Sequence, residues 1–445
     1  MKQEPARARI TRADGIPALQ GREDVRPLIG CIADDHTGAT DVASAIRGRG
    51  LSTALVFGPP SGDRPLPEAE AVVIALKSRT LPTQEAVALS LAAQRALTAA
   101  GVPRTYVKYC STFDSTAEGN IGPVTEALLA ATGAGAALAC PAAPANGRTV
   151  YRGHLFVGDV PLAESPMRHH PLTPMTDSDV TRLLARQTAE PVALLSRPHV
   201  ATGADAARAR LAELRAEGAR HVVADAVDEG DLDVLGEVAR DHRLVTGAAG
   251  LAAGLAAALR TGRPPGAYST ADPEPEPDPD GPAAVLAGSC STMTLRQIEH
   301  ARAVMPSRRL DPLELTDPGE LDRVRAWVDA HAGAGPVLVY ASQSPEERRA
   351  AQGRLGTAET ARLVEHALAE TARHLVDNGV RRLVVAGGET SGAIVGALGI
   401  DAVRVGREVD AGVPWTTAAG GLALLLKSGN FGAPDLFTRA LSGRP

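Results

Sequence analysis

Short apolar runs recur along this chain, each followed by a small or polar turn and then an amphipathic segment. In the first part they are Leu28–Ala33, Ala71–Leu76, Thr105–Val107, Ala136–Cys140 and His221–Ala224; later come Ala283–Ala287, Pro336–Tyr340 and Arg382–Ala386. Runs this short read as strands, and helical segments with apolar residues at i, i+3 and i+4 follow several of them, as over Thr360–Asn378. Short strands alternating with helices imply parallel sheets joined by right-handed crossovers. Ligands of such sheets bind just beyond the carboxyl ends of the strands, so the residues after each run are where function is to be sought.

At 445 residues the chain is too long for one core, and two or three domains are expected at ~150 residues each. The stretch Thr261–Ala284 is rich in Pro, Asp and Glu and can neither bury a core nor hold a regular helix. It reads as an exposed, semi-extended linker. The expected organisation is an N-terminal extension over 1–26, a first domain over 27–260, a linker over 261–283 and a second domain over 284–445. The expected fold class is α/β, two domains, each a mainly parallel sheet flanked by helices, with the active site in the cleft between them.

Hydrophobic residues make up 44% and charged residues 22% of the chain, with a mean hydropathy of -0.05, the profile of an ordinary soluble globular protein. A net charge of -6 and a pI near 6.0 give no support to nucleic acid or an anionic membrane as partner, so any anion site is local. Cys31, Cys110, Cys140 and Cys290 form no C-x-x-C pair, which argues against zinc or a disulfide framework and for free thiols in a reducing cytoplasm. There is no run of ~18 apolar residues and no signal-peptide pattern, and a cytoplasmic location is expected. A homodimer is compatible with the sequence.

Three loops of the first part carry acids and bases together. Asp34 to Asp41 reads DDHTGATD. Adjacent carboxylates at a strand end can bind a hydroxyl or a metal, or act as a general base. Helix capping would use only one of them, so Asp34 and Asp35 are candidate catalytic residues, with Asp35 the preferred base. In KSRT, Lys77 to Thr80, Arg79 can clamp a carboxylate bidentately, although an exposed basic turn would look the same. The stretch KYCSTFDSTAEGNIGP, Lys108 to Pro123, is too polar for a core and too rich in hydroxyls for a plain loop. Lys108 can pair with an anion there and joins Asp34 and Asp35 as a candidate catalytic residue, Ser111 and Asp114 can hold hydroxyls, and Asn120, which opens the following segment, is a further candidate for binding substrate. Arg148, in a polar stretch just past the run Ala136–Cys140, is another candidate for binding substrate. Cations and carboxylates at one sheet edge suit a sugar acid, which needs the first for its carboxylate and the second for its hydroxyls. His169 and His170 lie beside Pro171 without i, i+4 spacing, so they read as a loop facing substrate or a partner; no metal site built from protein side chains is expected.

The last part has a different chemistry. Gly288-Ser289-Cys290-Ser291-Thr292 and Gly387-Gly388-Glu389-Thr390-Ser391-Gly392 each follow a strand and open a helix. Small residues let the backbone approach an anion, and a helix start presents free N–H groups and a positive dipole end. Two such loops in one domain point to a polyphosphate site. Lys427 to Asp435, KSGNFGAPD, reads as a third, glycine-rich loop near it. Gly421 to Ser428 nearly matches G-x-x-x-x-G-K-[ST], but Leu426 occupies the second glycine in an apolar stretch, so it is no Walker A loop. A G-x-G-x-x-G after the first strand is missing too, which leaves a dinucleotide fold unsupported.

Taken together, IADDHTGATD, KSRTLP, KYCSTFDSTAEGNIGP, GSCSTMTLRQI, GGETSG and KSGNFGAPDLF resemble the four-carbon acid sugar kinase family, from about Leu28 to Leu441. The likeness is greatest to those members that act on 3-oxo-tetronates. The resemblance implies an acid-sugar-binding N-terminal domain, a nucleotide-binding C-terminal domain, and ATP with Mg2+. It also implies phosphorylation of the C4 hydroxyl of a 3-oxo-tetronate to the 4-phosphate. It places Ser289, Gly387, Gly388, Glu389, Thr390 and Gly429 at the ATP, with Ser291 beside them. Asp34, Asp35, Arg79, Lys108, Ser111 and Asp114 would face the sugar acid, its carboxylate on Arg79 or Lys108. Many members carry an aromatic where His36 stands. The rival readings are a kinase of unoxidised threonate or erythronate, a nucleotide-dependent oxidoreductase, and a non-catalytic sugar-acid sensor.

Overall fold

The computed structural model describes residues 26–60, 65–170, 172–261 and 281–442. The extension before residue 26 and the Pro-rich stretch over 262–280 lie outside the described residues. The chain separates into two compact units, whose described residues are 26–261 and 281–442.

The first unit is built on a parallel sheet. In spatial order its strands are Thr53–Phe57, Ala71–Ala75, Ile29–Ala33, Thr105–Lys108, Leu244–Gly247, Ala137–Cys140, His221–Ala224 and Val192–Leu195. Ile29–Ala33 and Ala71–Ala75 are buried at every position. That is why they appear in the sequence as unbroken apolar runs rather than as alternating ones: helices cover both faces. The chain leaves Ile29–Ala33 toward one edge of the sheet and later returns on its other side at Thr105–Lys108. This reversal makes a switch point, where the loops after adjacent strands splay apart and leave a crevice. The register aligns Ala33 with Ala75 on one side and with Lys108 on the other, so the three following loops begin at one level.

Helices Glu229–Ala239 and Ala249–Arg260 pack together on one face of this sheet, and glycines set how closely. A Cβ on Gly236 would stand 2.2 Å from the Gly254 carbonyl carbon, and one on Gly254 2.2 Å from the Leu232 carbonyl oxygen. Backbone meets backbone there, and neither helix can give way by a side-chain rotation. Gly236→Ala is therefore expected to destabilise the protein by about 1–3 kcal/mol despite its better helix propensity; thermal unfolding of the variant checks this. A small antiparallel sheet of Arg148–Tyr151, His154–Val157 and Val160–Pro161 lies apart from the main one.

The second unit repeats the plan. Ser307–Arg309, Val337–Tyr340, Ala283–Ala287, Arg382–Ala386 and Ala423–Lys427 run parallel in that order. Val413–Thr417 and Ala402–Asp410 then continue the sheet antiparallel. The expected α/β class with mainly parallel sheets holds for both units, and this hairpin is the departure. It turns through Ala411-Gly412, where Gly412 adopts a φ of 69°, a conformation that costs glycine little. Ala287, Ala386 and Lys427 share one level, so the loops after these three neighbouring strands also open side by side. The near-Walker stretch is a buried strand, Ala423–Lys427, as its apolar content suggests.

Candidate functional site

Asp35 is the N-cap of the helix His36–Gly48: its Oδ1 accepts from the Gly38 amide at 2.9 Å and its Oδ2 from the Thr37 hydroxyl at 2.7 Å. Capping thus accounts for one member of the pair, and Arg79 for the other. Arg79 donates from Nε to Asp34 Oδ2 at 2.8 Å and from Nη2 to Asp34 Oδ1 at 2.7 Å, a bidentate fork. The same Nη2 reaches Asp35 Oδ1 at 2.8 Å, and Nη1 lies 3.8 Å from Asp114 Oδ2. The guanidinium assigned from sequence to the substrate carboxylate is thus already engaged by two of the chain's own aspartates. Only its Nη1 edge is free of a hydrogen bond to them.

Asn120 fixes the Arg79 loop, its side-chain amide donating to the carbonyls of Ser78, Arg79 and Leu81 at 3.0, 3.2 and 2.9 Å. Lys108 is the last residue of its strand, almost wholly buried, with Nζ 3.0 Å from the Tyr109 carbonyl and 3.6 Å from Asp41 Oδ2. Phe113 and Asp114 adopt φ values of 64° and 33°, in the left-handed region that non-glycine residues seldom enter. The turn is held by Phe113 packed edge-on against Tyr109 and by the Thr112 hydroxyl on Asp114 Oδ1 at 2.7 Å. Strain maintained in this way turns the Asp114 carboxylate toward Arg79. Ser111 lies half-buried on the same loop. Ser115 accepts from Gln187, which also ties down Thr116 and Gly122. Arg148 stands on the small antiparallel sheet, its guanidinium folded back onto the Asn146 carbonyl, and is not brought to Asp34, Asp35 or Arg79 by any contact among the described residues.

Four carboxylates, of Asp34, Asp35, Asp41 and Asp114, thus surround two cations. Burial raises the Asp34 pKa above the usual carboxylate range despite Arg79. Burial also works upward on Asp35, but Arg79, Lys108, Thr37 and the Gly38 amide together bring it below that range. The Arg79 and Lys108 pKa values rise, burial being outweighed by Asp34 and Asp35 in the first case and led by Asp41 and Asp35 in the second. Two neighbouring carboxylates displaced in opposite directions are the usual setting for acid–base chemistry.

In the second unit, Ser291 caps the helix Thr292–Arg302 through the Thr294 amide at 3.2 Å, and Ser289 Oγ accepts from the Ser291 amide at 3.2 Å. The helix Gly388–Ala397 has no side-chain cap at all; Gly387, at φ 125°, precedes it. Its first N–H groups are therefore open to an anion. Thr390 is buried beneath Gly288, Glu389 sits in the first helical turn, and Gly429 packs against Ser289 and Ser291, where a Cβ would come within 2.5 Å of Ser289 Oγ. All the residues expected around a polyphosphate thus gather at one level of one sheet.

Sequence reasoning missed Lys427 as a fully buried lysine, together with its partners Thr294 and Gln297. A signal existed: both Thr105–Lys108 and Ala423–Lys427 end an apolar strand in lysine just before a polar loop. Burial alone brings the Lys427 pKa down to about 7. The unfolded chain holds that proton up to about pH 10.4, so between those values the unfolded state binds more protons and stability rises with pH. Lys427→Met should flatten this rise, as read from Tm at pH 7 and pH 9.5.

Residues 29–255 match the family described as a sugar-binding N-terminal domain, and residues 284–437 the one described as a nucleotide-binding C-terminal domain. The chain is 50% identical over 420 residues to the 3-oxo-tetronate kinase of Pseudomonas fluorescens Pf-5, covering 94% of this chain and 97% of that one. It belongs to the four-carbon acid sugar kinase family. Another member, the 3-oxo-tetronate kinase of Cupriavidus necator H16, is 50% identical over 425 residues, covering 94% of this chain and 97% of its own. Among solved structures, Haemophilus influenzae protein HI1011 shares 41% identity at a TM-score of 0.79, over 92% of this chain and 98% of its own. The two family halves fall on the two units, the aspartate cluster in the first and the uncapped helix in the second. No helix among the described residues is long and apolar enough to cross a membrane.

Proposed function

We propose that this protein transfers the γ-phosphoryl group of ATP to the C4 hydroxyl of a 3-oxo-tetronate, giving 3-oxo-tetronate 4-phosphate and ADP. The observation that carries the reading is the Arg79-bridged aspartate pair at a sheet switch point, in a chain half identical to 3-oxo-tetronate kinases. Residues 27–260 form the sugar-acid domain and 284–445 the nucleotide domain.

Charge sets how the acceptor lies. With four carboxylates around two cations, the aspartates repel the acid end of the substrate and accept hydrogen bonds from its hydroxyls. The hydroxymethyl end therefore points to Asp34 and Asp35, and the substrate carboxylate lies away from them, toward the hydroxyl of Ser111. Asp35 remains ionised, is anchored at a helix start and is the more exposed of the two carboxylates, with 29% of its side chain accessible against 18% for Asp34. It takes the proton from the C4 hydroxyl as the new O–P bond forms and the bond to the β–γ bridging oxygen breaks. Asp34 holds Arg79 in its fork. Asn120 acts one step back by fixing the Arg79 loop.

Gly388, Thr390 and Gly429 hold the nucleotide's phosphates through backbone N–H groups and Ser289 through its hydroxyl, while Gly387, its own N–H spent on the Lys427 carbonyl, lets the phosphates approach the backbone. Mg2+ supplies charge neutralisation on the phosphates. Magnesium is commonly bound through the substrate phosphates with few protein ligands, and we expect the nucleotide to carry it here. Transfer requires the sugar-acid site and the nucleotide site to be brought together and water to be excluded. We place the enzyme in the cytoplasm, where ATP is available and its four free thiols stay reduced.

Release of ADP from Mg-ATP, measured across both 3-oxo-tetronate enantiomers, threonate and erythronate, tests the reading. Turnover with a 3-oxo acid and not with the reduced acids is expected. Turnover confined to threonate or erythronate would reassign the acceptor, and no ADP with any of them would remove the kinase reading.

A further inference from the structure

We infer that Lys427 is a positioning residue of the nucleotide site, fixing the Gly429 carbonyl from inside the fold so that the Asn430 N–H is presented to the polyphosphate. The inference rests on the nucleotide-binding reading of the second unit.

Three donors converge on the Gly429 carbonyl oxygen: Lys427 Nζ at 2.9 Å, Thr294 Oγ1 at 2.8 Å and Ser291 Oγ. Lys427 Nζ also donates to Thr294 Oγ1 at 3.0 Å and to Gln297 Oε1 at 2.6 Å. Gln297, itself fully buried, turns its amide nitrogen to the carbonyls of Phe431, Gly432 and Ala433 at 3.0, 3.2 and 3.0 Å. The glycine-rich loop is therefore held by its carbonyls, that of Gly429 drawn inward by Lys427, Thr294 and Ser291 and the next three by Gln297. In a trans peptide the C=O and the following N–H point in opposite directions. An inward Gly429 carbonyl turns the Asn430 N–H outward, at an exposed residue beside the Ser289–Ser291 loop. A backbone N–H so oriented is an anion donor of the kind that lines phosphate sites.

The charge of Lys427 gives the same direction. The groups facing it are Thr294 and Gln297 from the helix Thr292–Arg302, Gly429 from its own loop, and the Phe437 ring at 5.8 Å. None is an anion, and among the described residues no carboxylate lies within ion-pair distance. A buried ammonium without a counter-ion is poorly stabilised in the free protein, and a polyphosphate arriving above Gly429 is the missing opposite charge. Nucleotide binding should therefore raise the affinity of Lys427 for its proton, and by reciprocity protonation should tighten the nucleotide.

The test is calorimetric binding of Mg-ADP to the full-length protein and to Lys427→Met at pH 6, 7.5 and 9. The variant is expected to bind about ten-fold or more weakly at pH 6, with the gap to wild type narrowing toward pH 9. Comparing the two proteins cancels the ionisation of ADP itself. In turnover, the variant should show a raised KM for ATP and an unchanged KM for the sugar acid, a split that partial unfolding would not produce. Should Lys427→Met fail to fold, Thr294→Val, which leaves the lysine in place but loosens its hold on Gly429, is expected to weaken ADP several-fold and to keep the pH dependence. Affinities equal to wild type, or a gap that does not change with pH, would overturn the inference while leaving the nucleotide site standing. Wild-type protein that binds no ADP at any pH would overturn the nucleotide reading and the inference together.

Discussion

Asp35→Asn is expected to lower kcat by about 10²–10⁴-fold, the range for loss of a general base, and to leave the KM for ATP nearly unchanged. The substitution is well suited to the question. Asparagine caps helices about as well as aspartate, and its Oδ1 can still accept from the Gly38 amide and from Arg79 Nη2. The Thr37 hydroxyl can turn to accept from the new amide nitrogen. The helix His36–Gly48 and the loop before it should therefore keep their places, and only the proton acceptor is lost. Steady-state kinetics, with ATP and sugar acid varied separately, distinguishes the outcomes. Unchanged turnover would remove Asp35 as the base and transfer the role to Asp34.

Arg79→Met should have the largest effect on both stability and activity. Arg79 is the hub of three carboxylates, and its side chain is only 23% exposed. Removing it leaves Asp34, Asp35 and Asp114 facing one another with Lys108 as the remaining cation of the cluster. Breaking a buried ion pair by deleting one partner costs about 3–5 kcal/mol, because the other charge stays behind. In a unit of this size that amounts to a fall in Tm of roughly 6–20 °C, with turnover reduced below detection. Arg79→Lys separates the two consequences. A lysine retains the charge but cannot present two parallel N–H groups to Asp34, so stability should partly return and turnover should not. Recovery of turnover in the lysine variant would show that the site needs a charge there and not a fork.

The parts of the fold that were legible in sequence are those whose signal is local. Ile29–Ala33 and Ala71–Ala75 are buried on both faces and read as continuous apolar runs, and DDHTGATD marks a strand end followed by a cap. Ser307–Arg309 shows no such run, because as an edge strand it need not be apolar. The hairpin Ala402–Thr417 alternates polar and apolar residues and carries charge, and so does not resemble the parallel strands before it. The candidate site divides in the same way. Which loops take part follows from the order of short runs, since each loop directly follows a strand. What each residue does within them depends on pairing across 45 positions, as between Arg79 and Asp34, or across 133, as between Lys427 and Thr294. Arg79 and Asn120 look like ligands for a substrate in sequence; in the fold, Arg79 bridges the aspartates and Asn120 anchors the loop that presents it.

The most direct measurement of the central claim is the proton-coupled phosphorus NMR spectrum of the product formed from Mg-ATP and a 3-oxo-tetronate. Transfer to the C4 hydroxyl puts the phosphate on a CH2 group, and a triplet is the predicted result. A doublet would place it on the C2 carbon, which bears a single proton, and an unsplit signal would place it on the carboxylate or leave it as inorganic phosphate; either would contradict the account.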